Sequence, residues 1–271
     1  MDLHHHWTYS SQFPPFYAEQ PFFKKRMKYH QHCHIHSKVI AEFYKIECSA
    51  THPPILVIPD GCIDIIFECD PNNPTAQICG SSLNTHEVPM QANTAYFGIR
   101  FLPGIVPKFI QSSAESILNQ SIDFNELVPF ETQLVENIGL EGNIEKQIFI
   151  FLNAFSSQLT RQYSLTTEYI LHAVIYHNPQ LKIKDLERST GYCARHIQRI
   201  FKQDVGMSIK EFSCIIRFQY AIHALNLPHI PKLSELTYAL GYNDQAHFHK
   251  EFKKFSNMSP TRFVKYLETF H

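Results

Sequence analysis

Long apolar runs are missing from this sequence. No stretch of eighteen apolar residues occurs, so no membrane-spanning segment is predicted. A basic start followed by an apolar stretch is also missing, and we therefore expect no signal peptide and a cytoplasmic location. Glycine is scarce, with nine residues in 271, and no glycine-rich phosphate-binding loop is present.

Signatures of common enzyme classes are absent as well. The sequence contains no G-x-S-x-G and no H-E-x-x-H, so we expect no catalytic activity and no cofactor. An enzyme in the N-terminal half is the remote alternative, with Cys62 as its candidate nucleophile. The apolar neighbours Ile63, Ile65 and Ile66 instead favour a buried strand thiol.

The seven cysteines form no pattern typical of a disulfide framework. Their number is odd, they are scattered along the chain, and no C-x-x-C occurs. Small disulfide-bonded proteins and zinc sites need paired or regularly spaced cysteines. We therefore expect reduced thiols.

Charge is divided unequally along the chain, although the total is only −1. Residues 161–271 hold fifteen Lys and Arg against nine Asp and Glu, a charge of +6. Residues 1–160 hold nine against sixteen, a charge of −7. A basic half joined to an acidic half indicates that one half alone meets a polyanion.

Residues 36–103 are predicted to form mainly strands. Extended segments rich in β-branched and aromatic residues are separated by breaks such as Pro59-Asp60-Gly61. The predicted strand segments are Lys38–Glu47, Ile55–Ile58, Ile63–Glu68 and Ala95–Phe101.

Helical spacing takes over after this region. Apolar residues recur at intervals of three and four between Ile144 and Leu159, which predicts an amphipathic helix. It would pack on its own domain or, alternatively, form a dimer seam. A linker is expected at Gln158–Thr166, followed by helices only. These begin at Thr166, cover Ile183–Thr190, Cys193–Gln203, Ser208–Leu225, Leu233–Leu240 and Asp244–Phe255, and end with a helix opened by Ser259.

Two helix–glycine–helix units repeat with an offset of about fifty residues. Gly191 and Gly241 can adopt the left-handed backbone conformation required at a tight turn between helices. In each second helix, two apolar residues four positions apart would bury one face. These pairs are Ile197 with Phe201 and Phe248 with Phe252. The repeat predicts two helix-turn-helix units.

The opposite face of each second helix carries side chains that read base edges or neutralise phosphates. They are Arg195, Gln198, Arg199 and Lys202 in the first unit and Gln245, Ala246, His249, Lys250 and Lys253 in the second. The helix between the units would be about 27 Å long at ~1.5 Å per residue. Two recognition helices held apart by it could enter successive major grooves, roughly 34 Å apart.

The stretch Gly191–Lys202 resembles the first recognition helix of the AraC/XylS family of transcription regulators. Leu240–Phe248, followed by Phe252–Phe255 and Ser259-Pro260, is similar to that family's second signature. The resemblance covers about residues 165–268. It implies an all-α domain that binds an asymmetric site on double-stranded DNA.

The resemblance also has implications for individual residues. It aligns Arg195, Gln198 and Arg199 of the first unit, and Gln245, Ala246, His249 and Lys250 of the second, with base-reading positions. Cys193 stands where the family usually has Ser, which weakens a helix N-cap. Asn257 replaces the usual Gly at a turn, and asparagine also accepts the left-handed conformation.

A second resemblance concerns the N-terminal half. Val57–Phe67 together with Phe97–Gly104 resembles an uncharacterised domain often found ahead of AraC-type DNA-binding domains, although Leu102 stands where that domain commonly has Arg. The resemblance covers about residues 38–135. It implies a sensing or dimerising module and attaches no substrate class.

Three charged residues of this module are candidates for effector contact. From the residues alone, Asp60 lies in a turn and is expected to bond local backbone. Asp64 and Arg100 are expected to pair inside a β core. The alternative is that Asp60, Asp64 and Arg100 bind an effector.

A histidine-rich segment precedes the predicted strands. His30, His32, His34 and His36 alternate, with Cys33 between them. On a strand the four imidazoles would share one face, and imidazole is a good ligand for zinc, copper or nickel. Four neighbours on a straight strand cannot close a tetrahedron around one ion, so we expect no metal site. A metal- or thiol-responsive regulator that uses this segment is the alternative.

The fold class expected is α+β with two domains. Residues 1–160 are predicted to form a β-rich mixed domain with C-terminal helices, and residues 161–271 an all-α domain of two helix-turn-helix units joined by a long helix. The expected partners are double-stranded DNA and RNA polymerase, with activation as the output and no membrane contact. For the N-terminal domain a small-molecule effector and homodimerisation both stay open.

Overall fold

The computed structural model describes residues 16, 18–32, 39–50, 54–160, 163–177, 181–227 and 229–269. Its N-terminal part is built on a six-stranded antiparallel sheet of order β1-β2-β7-β4-β5-β8, and β3 pairs with β6 separately. The strands are β1 Lys28–His32, β2 Ile40–Glu47, β3 Ile55–Val57, β4 Asp64–Cys69, β5 Thr75–Cys79, β6 His86–Val88, β7 Ala95–Phe101 and β8 Ser121–Asp123.

One face of the sheet carries an aromatic core. Phe43, Phe67 and Phe97, from three strands, are all buried on this face, and the ring of Phe97 stacks on Phe43 and is tilted against Phe67. Helices cover this face, and Phe155 stacks on Phe109 with ring centroids 4.0 Å apart. The covering helices are α2 Ala114–Ile117, α3 Phe124–Leu127, α4 Leu134–Gly139 and α5 Ile144–Phe155.

The C-terminal part is entirely helical among the residues described there. A π-helical segment, Ala173–His177, extends α6, and α9 is a helix of 17 residues that connects the two repeats. The helices are α6 Leu165–His172, α7 Ile183–Thr190, α8 Ala194–Val205, α9 Ile209–Leu225, α10 Leu233–Ala239, α11 Gln245–Ser256 and α12 Pro260–Glu268. Gly191 and Gly241 both have φ of +73°, as the predicted turns require.

A segment at the N-terminal end lies between the two parts of the molecule. It contains α1, Pro21–Arg26, and packs the ring of Phe22 against Phe263 of α12. Next to it, Glu19 binds α9, since its backbone N–H donates to Gln219 Oε1 at 2.7 Å and its carboxylate contacts His223 Nδ1 at 2.9 Å. The segment therefore ties the sheet domain to the helical domain.

The loop between β3 and β4 makes the second contact with α9. Gln219 donates from Nε2 to the carbonyl oxygen of Pro59 at 2.7 Å, and the ring of Phe212 lies against Gly61. Gln219 and Phe212 are both fully buried. The hydrophobic cluster around α9 consequently contains residues from both parts of the chain.

The predicted fold class is confirmed: a β-rich part precedes an all-α part. All predicted strand segments contain strands, and each helix of the repeat lies within two residues of its predicted ends. Four strands were not predicted, namely β1, β5, β6 and β8. Three of them expose most of their side chains or are only three residues long, so their patterns are weak. The domain boundary near residue 160 stays a prediction.

The packing of α8 against α2 can be tested with two glycines of similar backbone conformation. Gly206 has φ of +85°, and a Cβ there would lie 2.5 Å from the carbonyl oxygen of Ala114. Gly191 has φ of +73°, and nothing lies within 4 Å of its Cβ position. Gly191→Ala should cost about 1 kcal/mol of unfolding free energy from backbone strain alone. Gly206→Ala should cost at least ~2 kcal/mol, because the backbone of α2 must also move. Equal losses in urea unfolding would contradict the close approach.

Candidate nucleic-acid interface

Helix α8 is held in place by its apolar face. Ile197, Phe201 and Val205 are buried, and Phe201 packs edge-on against Phe212 of α9. As expected, Cys193 makes no side-chain cap at the helix start. Glu187 of α7 supplies the cap instead, because its Oε1 accepts from the Ala194 N–H at 2.6 Å.

The outward face of α8 is as predicted. Arg195, Gln198, Arg199 and Lys202 are all exposed. Arg199 makes a long contact of 3.4 Å with Gln203, so its guanidinium keeps donors for another partner. Lys202 pairs with Glu115 of α2 at 2.8 Å, and this hydrogen bond raises the pKa of Lys202.

Helix α11 repeats this arrangement. Asp244 caps it by accepting from the His247 N–H at 2.7 Å, and Phe248, Phe252 and Phe255 are buried. The residues predicted to face outward are exposed with one exception. Those exposed are Gln245, Ala246, Lys250 and Lys253.

His249 is the exception. It is only partly exposed, and its Nε2 is buried with no hydrogen-bond partner among the described residues. The ring lies at 5.8 Å from the ring of Phe248, on the edge of the apolar face. Helical spacing placed His249 one turn after Gln245 and could not show that its ring turns inward.

A buried ionic network fixes α11 to α9. Arg217 forms bonds of 2.7 and 2.8 Å from Nη2 to both carboxylate oxygens of Glu251, and its guanidinium lies 4.3 Å from the centre of the Tyr242 ring. Tyr242 also donates to Glu251 at 2.6 Å. These charge-assisted hydrogen bonds hold the three side chains in a fixed geometry. No motif in the sequence indicated these three residues as a group.

The first unit lacks this network among the described residues. Tyr192, which corresponds to Tyr242 in the repeat, is exposed, and its ring is tilted against that of His196 with centroids 4.7 Å apart. A cleft of about 480 Å³ separates the two units. Its walls include Gln198 of α8, Lys210 and Cys214 of α9, and His247 of α11. Residues of both recognition helices therefore line one gap, whose walls are partly polar and partly apolar.

The N-terminal candidates Asp60, Asp64 and Arg100 are brought together, as a buried network. Arg100 donates to both carboxylate oxygens of Asp64 at 3.0 and 2.8 Å, and its Nε lies 3.8 Å from Asp60. Glu42, the cross-strand partner of Arg100, accepts a further bond at 3.2 Å. The expected Asp64–Arg100 pair is present. Glu42 was missed, because strand register cannot be read from one sequence.

Asp60 shapes the turn as expected. Its Oδ1 accepts from the Cys62 N–H at 2.9 Å, and its Oδ2 accepts from Gln20 at 2.9 Å. Gln20 also bonds both backbone groups of Ile58. The role of Gln20 had no signal in the sequence.

Three carboxyl groups surround one guanidinium here. Burial raises the pKa of Asp64 to about 6, although Arg100 opposes the shift. Burial and Asp60 also raise the pKa of the Cys62 thiol well above its usual range. Such a thiol is a poor nucleophile, and it lies in the turn ahead of β4 rather than in a strand.

The histidine-rich segment is only partly described. His30 and His32 lie exposed in β1, whereas Cys33, His34 and His36 fall outside the described residues. Within the described ranges, no three His, Cys, Asp or Glu side chains are placed to hold a metal ion, and all six cysteines are free. None of the helices described there is long and apolar enough to cross a membrane.

The raised pKa of Asp64 predicts a pH dependence of stability. Between pH ~4 and ~6 the folded protein holds more protons at Asp64 than the unfolded chain does, so stability rises as the pH falls through this window. From pH 7 to pH 5 the wild type should gain about 1–2 kcal/mol from this group. Asp64→Asn should lose that gain in urea unfolding, and the exposed control Glu126→Gln should keep it. An equal gain in Asp64→Asn and the wild type would contradict the shift.

Two family models match this chain. A helix-turn-helix domain matches residues 186–266, and a domain of unknown function (DUF6597) matches residues 37–123. The first covers the repeat from α7 to α12. The second covers the sheet from β2 to β8 and agrees with the resemblance found in the sequence.

Curated relatives are named as transcription regulators. The chain is 24% identical over 113 residues to the Msm operon regulatory protein of Streptococcus mutans, covering 42% of this chain and 40% of the relative. It is 26% identical over 124 residues to the lactose operon transcription activator of Staphylococcus xylosus, covering 43% of each. The chain thus spans about two fifths of the length of these two relatives.

A third relative is covered more completely, and solved structures show weaker likeness. The probable transcription factor PqrA of Proteus vulgaris is 32% identical over 95 residues, which are 34% of this chain and 75% of that protein. The C-terminal domain of AraT from Geobacillus stearothermophilus is 21% identical with a TM-score of 0.37, covering 39% of this chain and 88% of that one. ToxT from Vibrio cholerae is 10% identical with a TM-score of 0.43, covering 83% and 98%.

The two repeated units, the exposed polar faces of α8 and α11 and these relatives lead to one assignment. The match to PqrA extends over most of that protein, and the helix-turn-helix model covers both units. The chain belongs to the AraC/XylS family of DNA-binding transcription regulators.

Proposed function

We propose that this chain recognises a specific, asymmetric site on double-stranded DNA through α8 and α11 and activates transcription by contact with RNA polymerase. The observation that carries the proposal is the division of both helices into a buried apolar face and an exposed face rich in Arg, Lys and Gln. Such side chains match base edges in the major groove and phosphates beside it.

The exposed residues divide by chemistry. Arg195 and Arg199 suit bidentate contact with guanine, and Gln198 and Gln245 suit adenine. The small side chain of Ala246 suits contact with a thymine methyl group. Lys202, Lys250 and Lys253 suit phosphates. His249 would have to turn its buried Nε2 outward to join them.

The distribution of charge supports the same proposal. Residues 161–271 carry +6, so this part attracts a polyanion, whereas residues 1–160 carry −7 and are repelled by it. DNA would therefore meet the helical part alone. Opposite charges on the two parts also favour their mutual packing when DNA is absent.

For the N-terminal part we propose regulation of DNA binding by an effector or by dimerisation. The network of Asp60, Asp64 and Arg100 supports a route, because Asp60 lies in the loop that contacts α9. An effector that competes for Arg100 would disturb this loop. A metal or thiol response through the segment of His30 and His32 is the rival, and zinc, chelator or oxidant would then change DNA affinity.

The proposal is tested by selecting genomic DNA fragments with the purified full chain at moderate salt. We expect one enriched asymmetric motif of two boxes about one helical turn apart. Selection should be repeated with Arg195→Ala and Gln245→Ala, which should each relax one of the two boxes. If the wild type enriches no motif, sequence-specific binding is contradicted.

Base reading and phosphate contact can be separated by substitution. Arg199→Ala should weaken binding to the selected site by about five- to 150-fold (~1–3 kcal/mol) and leave random DNA nearly unaffected. Lys253→Ala should weaken both kinds of DNA alike and reduce the salt dependence. Lys146→Ala, an exposed lysine of the N-terminal part, serves as the control and should change neither. An equal loss on all sequences for Arg199→Ala would contradict its reading of a base.

A further inference from the structure

The N-terminal part touches the C-terminal end of the first recognition helix. In α8, Lys202 pairs with Glu115 at 2.8 Å, and one turn later Gly206 lies against the backbone of Ala114. Lys202 and Glu115 remain 53% and 62% exposed, so two of the three ammonium N–H groups are free to meet phosphate. The contact thus holds the end of α8 without closing its DNA-facing side.

A second contact of the same kind is made at the end of α11. Thr85 donates from Oγ1 to the carbonyl oxygen of Phe255, and Asn257 donates to the Thr85 carbonyl oxygen at 3.5 Å. Thr85 is 8% exposed and Phe255 is buried. Both recognition helices are therefore held at the same end, although they belong to separate units.

The two contacting segments are bonded to each other. Leu83 donates to the side chain of Asn119 at 2.7 Å, and Asn119 donates from its backbone to Ser81 at 3.0 Å. A Cβ on Gly80 would overlap the carbonyl oxygen of Ile117, so the backbones of the two segments are in direct contact. We call residues 80–85 and 113–120 together the spacer.

The spacer is anchored in the sheet domain. Ser81 is buried and donates from Oγ to the Cys62 carbonyl oxygen at 2.9 Å. The backbone N–H of Cys62 in turn donates to Asp60 Oδ1 at 2.9 Å. The spacer is thus continuous with the loop that the Arg100 network holds.

Holding the C-terminal ends of both recognition helices restricts the separation of the DNA boxes that the two helices can contact together. Moving one box by a single base pair shifts it by about 3.4 Å along the duplex and rotates it by roughly 35° around the axis. A pair of recognition helices joined only through α9 could adapt to such a change by tilting. A pair in which each helix is also held at its C-terminal end by one cross-bonded element cannot.

We propose that the spacer determines which separation between the two DNA boxes the chain accepts, an inference that rests on the proposed function. Glu115 and Thr85 are its contact residues, one for each recognition helix. They act as positioning residues, since they contact the C-terminal ends of α8 and α11. The base preferences within each box belong to α8 and α11 and are independent of the spacer.

The experiment measures dissociation constants of the full chain on a set of operators. Each operator carries the two selected boxes, moved apart or together by one or two base pairs. The variants are Glu115→Gln, which removes the charge facing Lys202, Thr85→Val, which removes the hydroxyl donor at similar volume, and their combination. Glu126→Gln and Thr94→Val are matched controls in the same domain, away from both recognition helices.

The wild type and both controls should prefer one separation by about tenfold or more over its neighbours. In the double variant this preference should fall to about threefold or less, mainly because the wrong separations bind better. An unchanged preference, or an equal loss of affinity at every separation, would overturn the role of the spacer. The absence of any enriched motif for the wild type would instead overturn the proposed function, and the spacer with it.

Thermal unfolding of each variant shows whether a change in DNA binding comes instead from a loss of stability. Glu115 is exposed, so Glu115→Gln and the stronger Glu115→Lys should unfold at the wild-type temperature. If Thr85→Val unfolds early because its hydroxyl is buried, the Glu115 variants decide alone. Glu115→Lys should then flatten the preference more than Glu115→Gln does, because two lysines repel.

Discussion

The burial of Arg100 among Glu42, Asp60 and Asp64 is the constraint from which much of the molecule follows. A guanidinium removed from water needs these partners, and their removal would leave an unpaired charge. The network fixes the loop around Asp60, and that loop receives Gln219 of α9. The polar interior of the sheet domain is therefore joined directly to the helix that separates the two DNA-binding units.

The two units have similar sequences but are secured differently. In the second, Tyr242 is buried under Arg217 and Glu251, which lock α11 onto α9. In the first, Tyr192 is exposed, and contacts with α2 take the place of that network. The two units thus share the turn and a buried apolar face, while their surroundings differ. Both units contact the N-terminal part, the first through Glu115 and the second through Thr85 and Phe22.

The helical domain could be predicted closely because its signals are local. Glycine at the turns and apolar residues four apart specify a helix-turn-helix within a short stretch, and Cys193 and Asn257 behave as their chemistry suggests. The Asp64–Arg100 pair followed from two charges in buried strands. Glu42, Gln20 and the Arg217 network depend on register and on packing between distant segments, which one sequence does not contain. His249 shows the same limit, because spacing gives a face and not the direction of a ring.

The cap on α8 has a consequence for the DNA binding proposed for this helix. Glu187 fills the first amide of the recognition helix with a carboxylate, where the helix dipole would otherwise attract a phosphate. The N-terminal end of α8 would therefore add little to the binding of DNA of arbitrary sequence. Weaker attraction to arbitrary DNA shortens the time spent on wrong sites and leaves discrimination to the side chains on the outward face. The cap from Glu187, which takes the place of a cap from residue 193, would therefore weaken binding to arbitrary DNA relative to binding at the specific site.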